Sequence, residues 1–346
     1  MAMQRWLAGL FVVAAAAGVI WLMPQSQARD PRPLQLTASK VRFSVNDETA
    51  DRIGRLKWRG TIRLVGNDKE FGGLSGLVVS KDGSRFLAIT DQAHWVTGTF
   101  SYDGKGNLTG ATGGTITPML DQKGNTMSGK SGDAEALAPL VPNDPDGPVV
   151  VAFEGDHRVW VYDPPKDGQR TVKYAVTLPD DAKALPGNGG IEALSVWDKT
   201  SLLAFGEYTA DKDGNLFGWT LPLKAGAKAE EVKAMPLKPV SPFAITDACP
   251  LPDGSGVLLA ERRFSRETGV GFQVRMLSND AFKSGPAQGE VLANLGMSFV
   301  IDNMEGISAR TGEKGETLIY VVADDNFNRP IQQTLVTLYE LLPTDQ

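Results

Sequence analysis

Short apolar runs separated by glycine, proline and aspartate turns dominate this chain. Val149 to Phe153, Leu202 to Phe205, Val257 to Ala260 and Leu318 to Val322 are representative. Tight turns stand beside several of them, as in Lys81-Asp-Gly-Ser84, Pro252-Asp-Gly-Ser255 and Gly312-Glu-Lys-Gly315, where glycine and aspartate supply the turn geometry. No long segment keeps a helical period between caps. The pattern predicts an all-β protein.

Self-comparison adds a repeat. Five segments place a polar or acidic residue before small and apolar ones: Leu74-Ser-Gly-Leu77, Ala134-Glu-Ala-Leu137, Ile191-Glu-Ala-Leu194, Thr246-Asp-Ala-Cys249 and Met304-Glu-Gly-Ile307. Taking 75, 135, 192, 247 and 305 as equivalent gives intervals of 60, 57, 55 and 58 residues. A period of this size marks a propeller or array. The expectation is a single β-propeller with five countable blades, a sixth left open. The unit that starts at 305 offers only three strands, so a fourth is expected from Leu56 to Val65, which would close the ring and remove exposed sheet edges.

Each segment leads into an apolar run that ends in an acid: Asp91, Glu154, Glu207, Glu261 and Asp324. In an antiparallel pair the partner numbers add to a constant set by the turn. A turn centred on 254 sets 247 opposite 261, and one centred on 83 sets 75 opposite 91. The acid opening the first strand and the acid closing the second therefore belong at the same end of each sheet. Like charges across a ladder are destabilising, so a repeat that gathers them needs a cation, arginine partners or protonation. Alternatively, backbone N–H groups hold these acids and the acids organise the blade ends.

The first residues differ from the rest. Trp6 to Met23 is apolar or small, Arg5 precedes it, and Pro24 and Ser26-Gln-Ala28 follow. This order predicts a signal peptide over 1–28, with an uncleaved anchor as the alternative. An irregular linker is expected over 29–54 and the propeller over 55–342, in a periplasmic or secreted monomer that touches a membrane only through an uncleaved leader. The single cysteine, Cys249, rules out an internal disulfide, and a net charge of −6 gives no reason to expect nucleic acid.

Several runs carry a family resemblance. Phe71-Gly-Gly-Leu-Ser-Gly-Leu77, Gly132-Asp-Ala-Glu-Ala-Leu137, Leu258-Leu-Ala-Glu-Arg-Arg-Phe-Ser265, Asp302-Asn-Met-Glu-Gly-Ile307 and Ala323-Asp-Asp-Asn-Phe-Asn328 resemble the phytase-like, or esterase-like, β-propeller family of bacteria. The resemblance covers about residues 70 to 342. It implies a propeller, export, and hydrolysis of ester or phosphate-ester bonds, with calcium as the associated ion. The metal-ligand pattern of the calcium-dependent propeller phytases is not visible as a run, which leaves phytate itself open.

Candidate chemistry follows from the acids. Glu135, Glu192, Asp247 and Glu305, with Asp91, Glu154, Glu207 and Asp324, supply the oxygen ligands that suit a hard cation, and Ca²⁺ is the expected one. Glu261, Arg262, Arg263 and Arg158 are the candidates for catalysis, the arginines either steadying negative charge or simply pairing with nearby carboxylates. Asn303, Asn326 and Asn328 would add neutral contacts. Asp211-Lys-Asp-Gly-Asn215 and Asn143-Asp-Pro-Asp-Gly147 read as ordinary turns, since neither has the glutamate that closes a calcium loop. Gly124-Asn-Thr-Met-Ser-Gly-Lys-Ser131 matches the phosphate-loop letters but lacks the strand before and helix after that the chemistry needs. There is no Gly-x-Ser-x-Gly elbow, and the two histidines, His94 and His157, follow Asp91 and Glu154 at the same expected mouth. The sequence thus predicts a metal-assisted hydrolase of small ester or phosphoester substrates. A non-catalytic propeller that binds a ligand or partner, with metal for rigidity, is the rival, and a lactonase-type propeller the third choice.

Overall fold

The computed structural model describes residues 30–344; the expected leader lies outside the described residues. The fold is a five-bladed β-propeller. Blade 1 runs through Leu74–Val79, Arg85–Thr90, His94–Tyr102 and Leu108–Pro118, and blade 2 through Ala134–Pro139, Val149–Phe153, Arg158–Tyr162 and Val172–Val176. Blade 3 comprises Ile191–Asp198, Ser201–Ala210, Leu216–Pro222 and Lys233–Ala234, and blade 4 Ala244–Pro250, Gly256–Ser265, Gly269–Ser278 and Glu290–Leu295. Blade 5 takes Asn303–Thr311, Thr317–Asp324 and Leu335–Leu341 from the C-terminal end. Its fourth strand is Leu56–Gly66, paired antiparallel with Leu335–Leu341, so the two ends of the chain close the ring as expected.

The second strands read as continuous apolar runs because both of their faces are buried. Five apolar clusters fill the five seams between blades, one per seam. Ala152 and Val150, for example, face blade 3, while Val149, Val151 and Phe153 face blade 1. Sheets covered on both sides lose the alternation that a half-exposed strand would show. Each first strand lies innermost and touches the first strands of both neighbouring blades.

The stretch 29–54, expected as an irregular linker, instead carries from residue 30 onward three short strands across the outside of the ring. Arg32–Pro33 adds to the outer edge of blade 1, Leu36–Val41 pairs with Leu56–Gly66, and Arg52–Ile53 turns back on the same strand. Between them Ser44 bridges to Phe299, and the Arg55 N–H donates to Leu292 O on blade 4 at 2.8 Å. The segment therefore covers otherwise open strand edges on three blades, the hazard that exposed edges present.

Blade 4 corrects two assignments. A β-bulge interrupts the pairing of first and second strands in every blade, and the bulged residue is Ser75, Glu135, Glu192, Thr246 or Glu305. In blade 4 the equivalent of the other bulge residues is thus Thr246, one place before Asp247. Asp247 instead points into the seam with blade 5, fully buried, where its carboxylate accepts from the Ala248 and Ile307 N–H groups at 2.8 Å each. The same offset displaces Glu261. It pairs with Ile245 and turns into the blade, ion-paired with Arg275 and accepting from Gln273 Nε2 at 2.6 Å, with both charged side chains wholly buried. Glu261 is a structural group with no opening onto the axis. Removing one partner of a buried ion pair leaves an uncompensated charge, so Glu261→Ala should cost about 3–5 kcal/mol of folding stability. A urea midpoint unchanged from the parent protein would contradict that role.

Candidate functional site

The bulges fix the site. A bulge adds one residue and re-aims its side chain, and here the five bulges lie at the end of the ring where the first strands begin. On each second strand, the residue after the partner of the position that precedes the bulge is Asp91, Glu154, Glu207, Arg262 or Asp324. Blade 4 is the exception on both counts, with a hydroxyl and a guanidinium where other blades carry acids. Ser75 in blade 1 is the other exception. The two hydroxyls do the same work: Ser75 Oγ donates to Ala134 O and Thr246 Oγ1 to Met304 O (3.0 Å), each reaching the residue before the next blade's bulge. Seven carboxylates remain, Asp91, Glu135, Glu154, Glu192, Glu207, Glu305 and Asp324, and they share one well with Arg262.

Arg262 is the hub. Its Nε lies 3.0 Å from Glu305 Oε1, and its terminal nitrogen 3.7 Å from Glu207 Oε1. Burial works against its charge, yet Glu305, Glu207 and Glu192 outweigh burial and hold its pKa above the ordinary value. One guanidinium cannot neutralise seven carboxylates, and the acids respond. Burial, with Asp324 and Glu207 adding repulsion against the pull of Arg262, raises Glu305 to about 8. Burial and the charges of Asp324, Asp133 and Asp325 raise Asp91 to about 7, and burial together with Asp325 raises Asp324 to about 6. Glu192 and Glu135 are pushed well above the carboxylate range, by burial first and then by neighbouring acids. Glu192 is only 7% exposed, and among the described residues none donates a hydrogen bond to it.

Local contacts hold the other acids. Glu154 Oε1 accepts from the Gly189 and Gly190 N–H groups, the latter at 3.0 Å. Asn303 Nδ2 bridges the two acids of blade 5, at 2.6 Å to Glu305 and 3.5 Å to Asp324, and the Asn326 N–H donates to Asp324 at 2.7 Å. Asp325 is a latch outside the well. Wholly buried, it pairs with Arg329 and accepts from the Gly73 N–H of blade 1 at 3.3 Å. Gly73 has φ of +59°, and a side chain there would run into Asp91 and Phe327. The Phe71-Gly-Gly and Asp-Asp-Asn-Phe-Asn runs thus meet across the closing seam.

The remaining expected residues separate. Arg263 donates to Thr268 Oγ1 (2.6 Å) and Gly269 O within its own hairpin and lies over the Phe243 ring, so it is not in the well. Arg158 lies over the Phe153 and Trp160 rings and donates to the carbonyls of Asp156 and Ser131, which makes it a packing element. His157 Nε2 lies 3.0 Å from both Leu185 O and Pro186 O, steadying the loop that carries Gly189 and Gly190. His94 opens on a cleft of about 1000 Å³ beside blades 1 and 2, lined also by Asp91, Asp133, Arg32 and Ser128. The phosphate-loop lookalike supplies part of this wall and ends in a three-residue 3-10 turn, Gly129–Ser131, with no helix behind it. Asp211 caps its own turn through the Asp213 and Asn215 N–H groups, as an ordinary turn does.

Asp133 is the residue the sequence reading missed. It stands two before Glu135, and carboxylate oxygens of Asp133, Glu135 and Glu154 all lie within 4.8 Å of one another. The i, i+2 spacing of Gly132-Asp-Ala-Glu135 was the available signal.

A propeller with an acid-lined axial well organised by one arginine is the class this geometry defines. The chain belongs to the phytase-like family described as "Esterase-like activity of phytase", whose model matches residues 69–327. Among solved structures it is similar to the β-propeller domain of Cps50 (Swd1) from Myceliophteria thermophila, at 10% identity and a TM-score of 0.38, covering 89% of this chain and 99% of that one. It is also similar to the periplasmic gluconolactonase PpgL of Pseudomonas aeruginosa, at 12% identity and a TM-score of 0.38, covering 91% and 98%. No curated protein matches it.

The raised acids make stability depend on pH with a definite sign. Glu305, Asp91 and Asp324 bind protons more tightly folded than unfolded, so their contribution is complete below their ordinary values and is lost as pH rises through about 6 to 8. In chelator, the melting temperature should therefore fall between about pH 5 and about pH 8.5. Asp91→Asn should make that fall shallower. A melting temperature that holds or rises over the window would contradict the crowded-charge account.

Proposed function

We propose that the well is the active site of a metal-assisted hydrolase of carboxylic or phosphate esters, working in the cell envelope. The observation that carries this reading is the excess of buried carboxylate over positive charge at one end of the axis. Membership of the esterase-like family supports ester hydrolysis, and the apolar run from Trp6 to Met23 supports export.

The donor set fits a hard divalent cation. Asp133, Glu135 and Glu154 offer only oxygen, close enough to share one ion, and Glu192 brings a buried carboxylate that accepts no hydrogen bond among the described residues. These four residues would hold Ca²⁺, which when bound supplies a Lewis acid and a more acidic water. The rest is work for the protein. Glu305 and Glu207 orient Arg262, whose guanidinium presents a fixed positive charge to oxygens that become negative during ester cleavage. The N–H groups of Gly189 and Gly190 fix Glu154, and Asn303 fixes Glu305 and Asp324, so the acidic walls are set before substrate arrives.

The rival reading, a binding propeller stiffened by an ion, draws support from the same contacts, because Arg262 and Glu154 are both engaged structurally. Chromogenic carboxylic-ester, phosphate-ester and lactone substrates, assayed with chelator and with calcium restored, separate the two. The hydrolase reading expects turnover that chelator abolishes and calcium restores, and a loss of about 100-fold or more in Arg262→Ala. No turnover on any substrate, with a melting temperature that chelator lowers, would leave the binding propeller in its place.

A further inference from the structure

In blade 4 the strands Gly256–Ser265 and Gly269–Ser278 continue beyond the first strand, as the second strand of blade 3, Ser201–Ala210, also does. The first strand of the blade accompanies them only as far as the Ala244–Arg262 pair. Beyond it Arg263, Phe264 and Ser265 pair solely with Gly271, Val270 and Gly269. The result is a hairpin rising past the mouth of the well.

We propose that this hairpin is an apolar subsite, in which Phe264 receives the hydrocarbon chain of an ester whose carbonyl lies in the well; the proposal rests on the hydrolase reading above and names its substrate class. Successive side chains on a strand alternate between faces, so Phe264 shares the face of Arg262 and stands one step of roughly 7 Å further out. Arg262 turns toward Glu305 of blade 5, and Phe264 follows that direction at the rim. Phe264 is 68% exposed, unusual for so large an apolar residue.

The turn that carries Phe264 is braced by its own side chains. Arg263 ties to Thr268, Thr268 Oγ1 lies 2.8 Å from Ser265 Oγ, and the Thr268 N–H donates to the Ser265 hydroxyl at 3.0 Å. Met297, itself 61% exposed, lies against Gly269 at the turn. A braced tip loses little freedom when a ligand binds, which is what makes a rigid aromatic an effective anchor. The chemistry of the floor decides what the rim must do. The well is charged throughout and cannot take hydrocarbon, while the cleft on the blade 1 and 2 side is lined by Asp91, Asp133, His94 and Ser128. Phe264, two residues beyond Arg262 on the same face of the strand, is the apolar side chain that an ester chain leaving the well on this side would meet.

The test is a series of 4-nitrophenyl acetate, butyrate and octanoate with calcium present. In the parent protein kcat/KM should rise at least about fivefold from acetate to octanoate, a fraction of what full burial of the added methylenes would give. In Phe264→Ser the octanoate-to-acetate ratio should fall toward one, and Phe264→Leu should restore most of it. Equal ratios in the parent protein and Phe264→Ser would overturn the subsite. Failure to cleave any ester would instead overturn the hydrolase reading, and the subsite is then decided by calorimetric binding of uncleavable 4-nitrophenyl octyl ether. Binding that Phe264→Ser weakens supports it; equal binding ends it.

Discussion

Repulsion among carboxylates gathered on one axis is the constraint to which the rest of this propeller answers. Among the described residues eight acids, Asp133 included, gather there with one guanidinium, and several of the acids are held by identifiable contacts. Glu305 and Glu207 flank Arg262, Glu154 is held by two backbone N–H groups, and Asn303 spans the acids of blade 5. Glu192 has no such partner among the described residues. Like charges in a poorly solvated site favour protonation or a bound cation, and the structure leaves that choice to pH and to the ionic surroundings.

The scaffold can bear this load because its stability lies elsewhere. Five apolar seams, each filled by residues from two blades, surround the axis. Hydroxyls at the bulges of blades 1 and 4 tie each of those blades to the next. Buried polar anchors work outside the well, Asp247 between blades 4 and 5, Asp325 across the closing seam, and Glu261 with Arg275 inside blade 4. Division of labour of this kind is usual where a site departs from what is best for folding.

Most of the architecture was legible in the sequence because a repeat multiplies a weak signal. One polar residue before a small one means little, but five at similar intervals reveal the propeller, its strand order and the shared end of the acids, with a sixth blade left for the structure to exclude. Closure by Leu56–Gly66 was legible by subtraction, since the last unit lacked a strand. Blade 4 was misread by one residue. Asp247 and Glu261 fit the pattern of acids, while the true equivalents, Thr246 and Arg262, do not. A slip of one residue moves a side chain to the opposite face of its sheet, so the error exchanged buried structural acids for the one cation in the well. Composition could not have exposed it; a bulge at Thr246 could. The packing role of Arg158 and the hairpin ties of Arg263 depend on rings and carbonyls distant from what a charge pattern shows.

Ring closure also sets an order of events. Ile62 pairs with Val336, so a strand made early waits for four blades to be made before it finds its neighbour. Contacts so remote in sequence form late and slow the folding search. Glu305 and Asp324 belong to the blade that this pairing completes, so the acidic constellation is whole only once Leu335–Leu341 has been made and has found Leu56–Gly66. A chain that lost Leu335–Leu341 would therefore keep four finished blades and no finished centre.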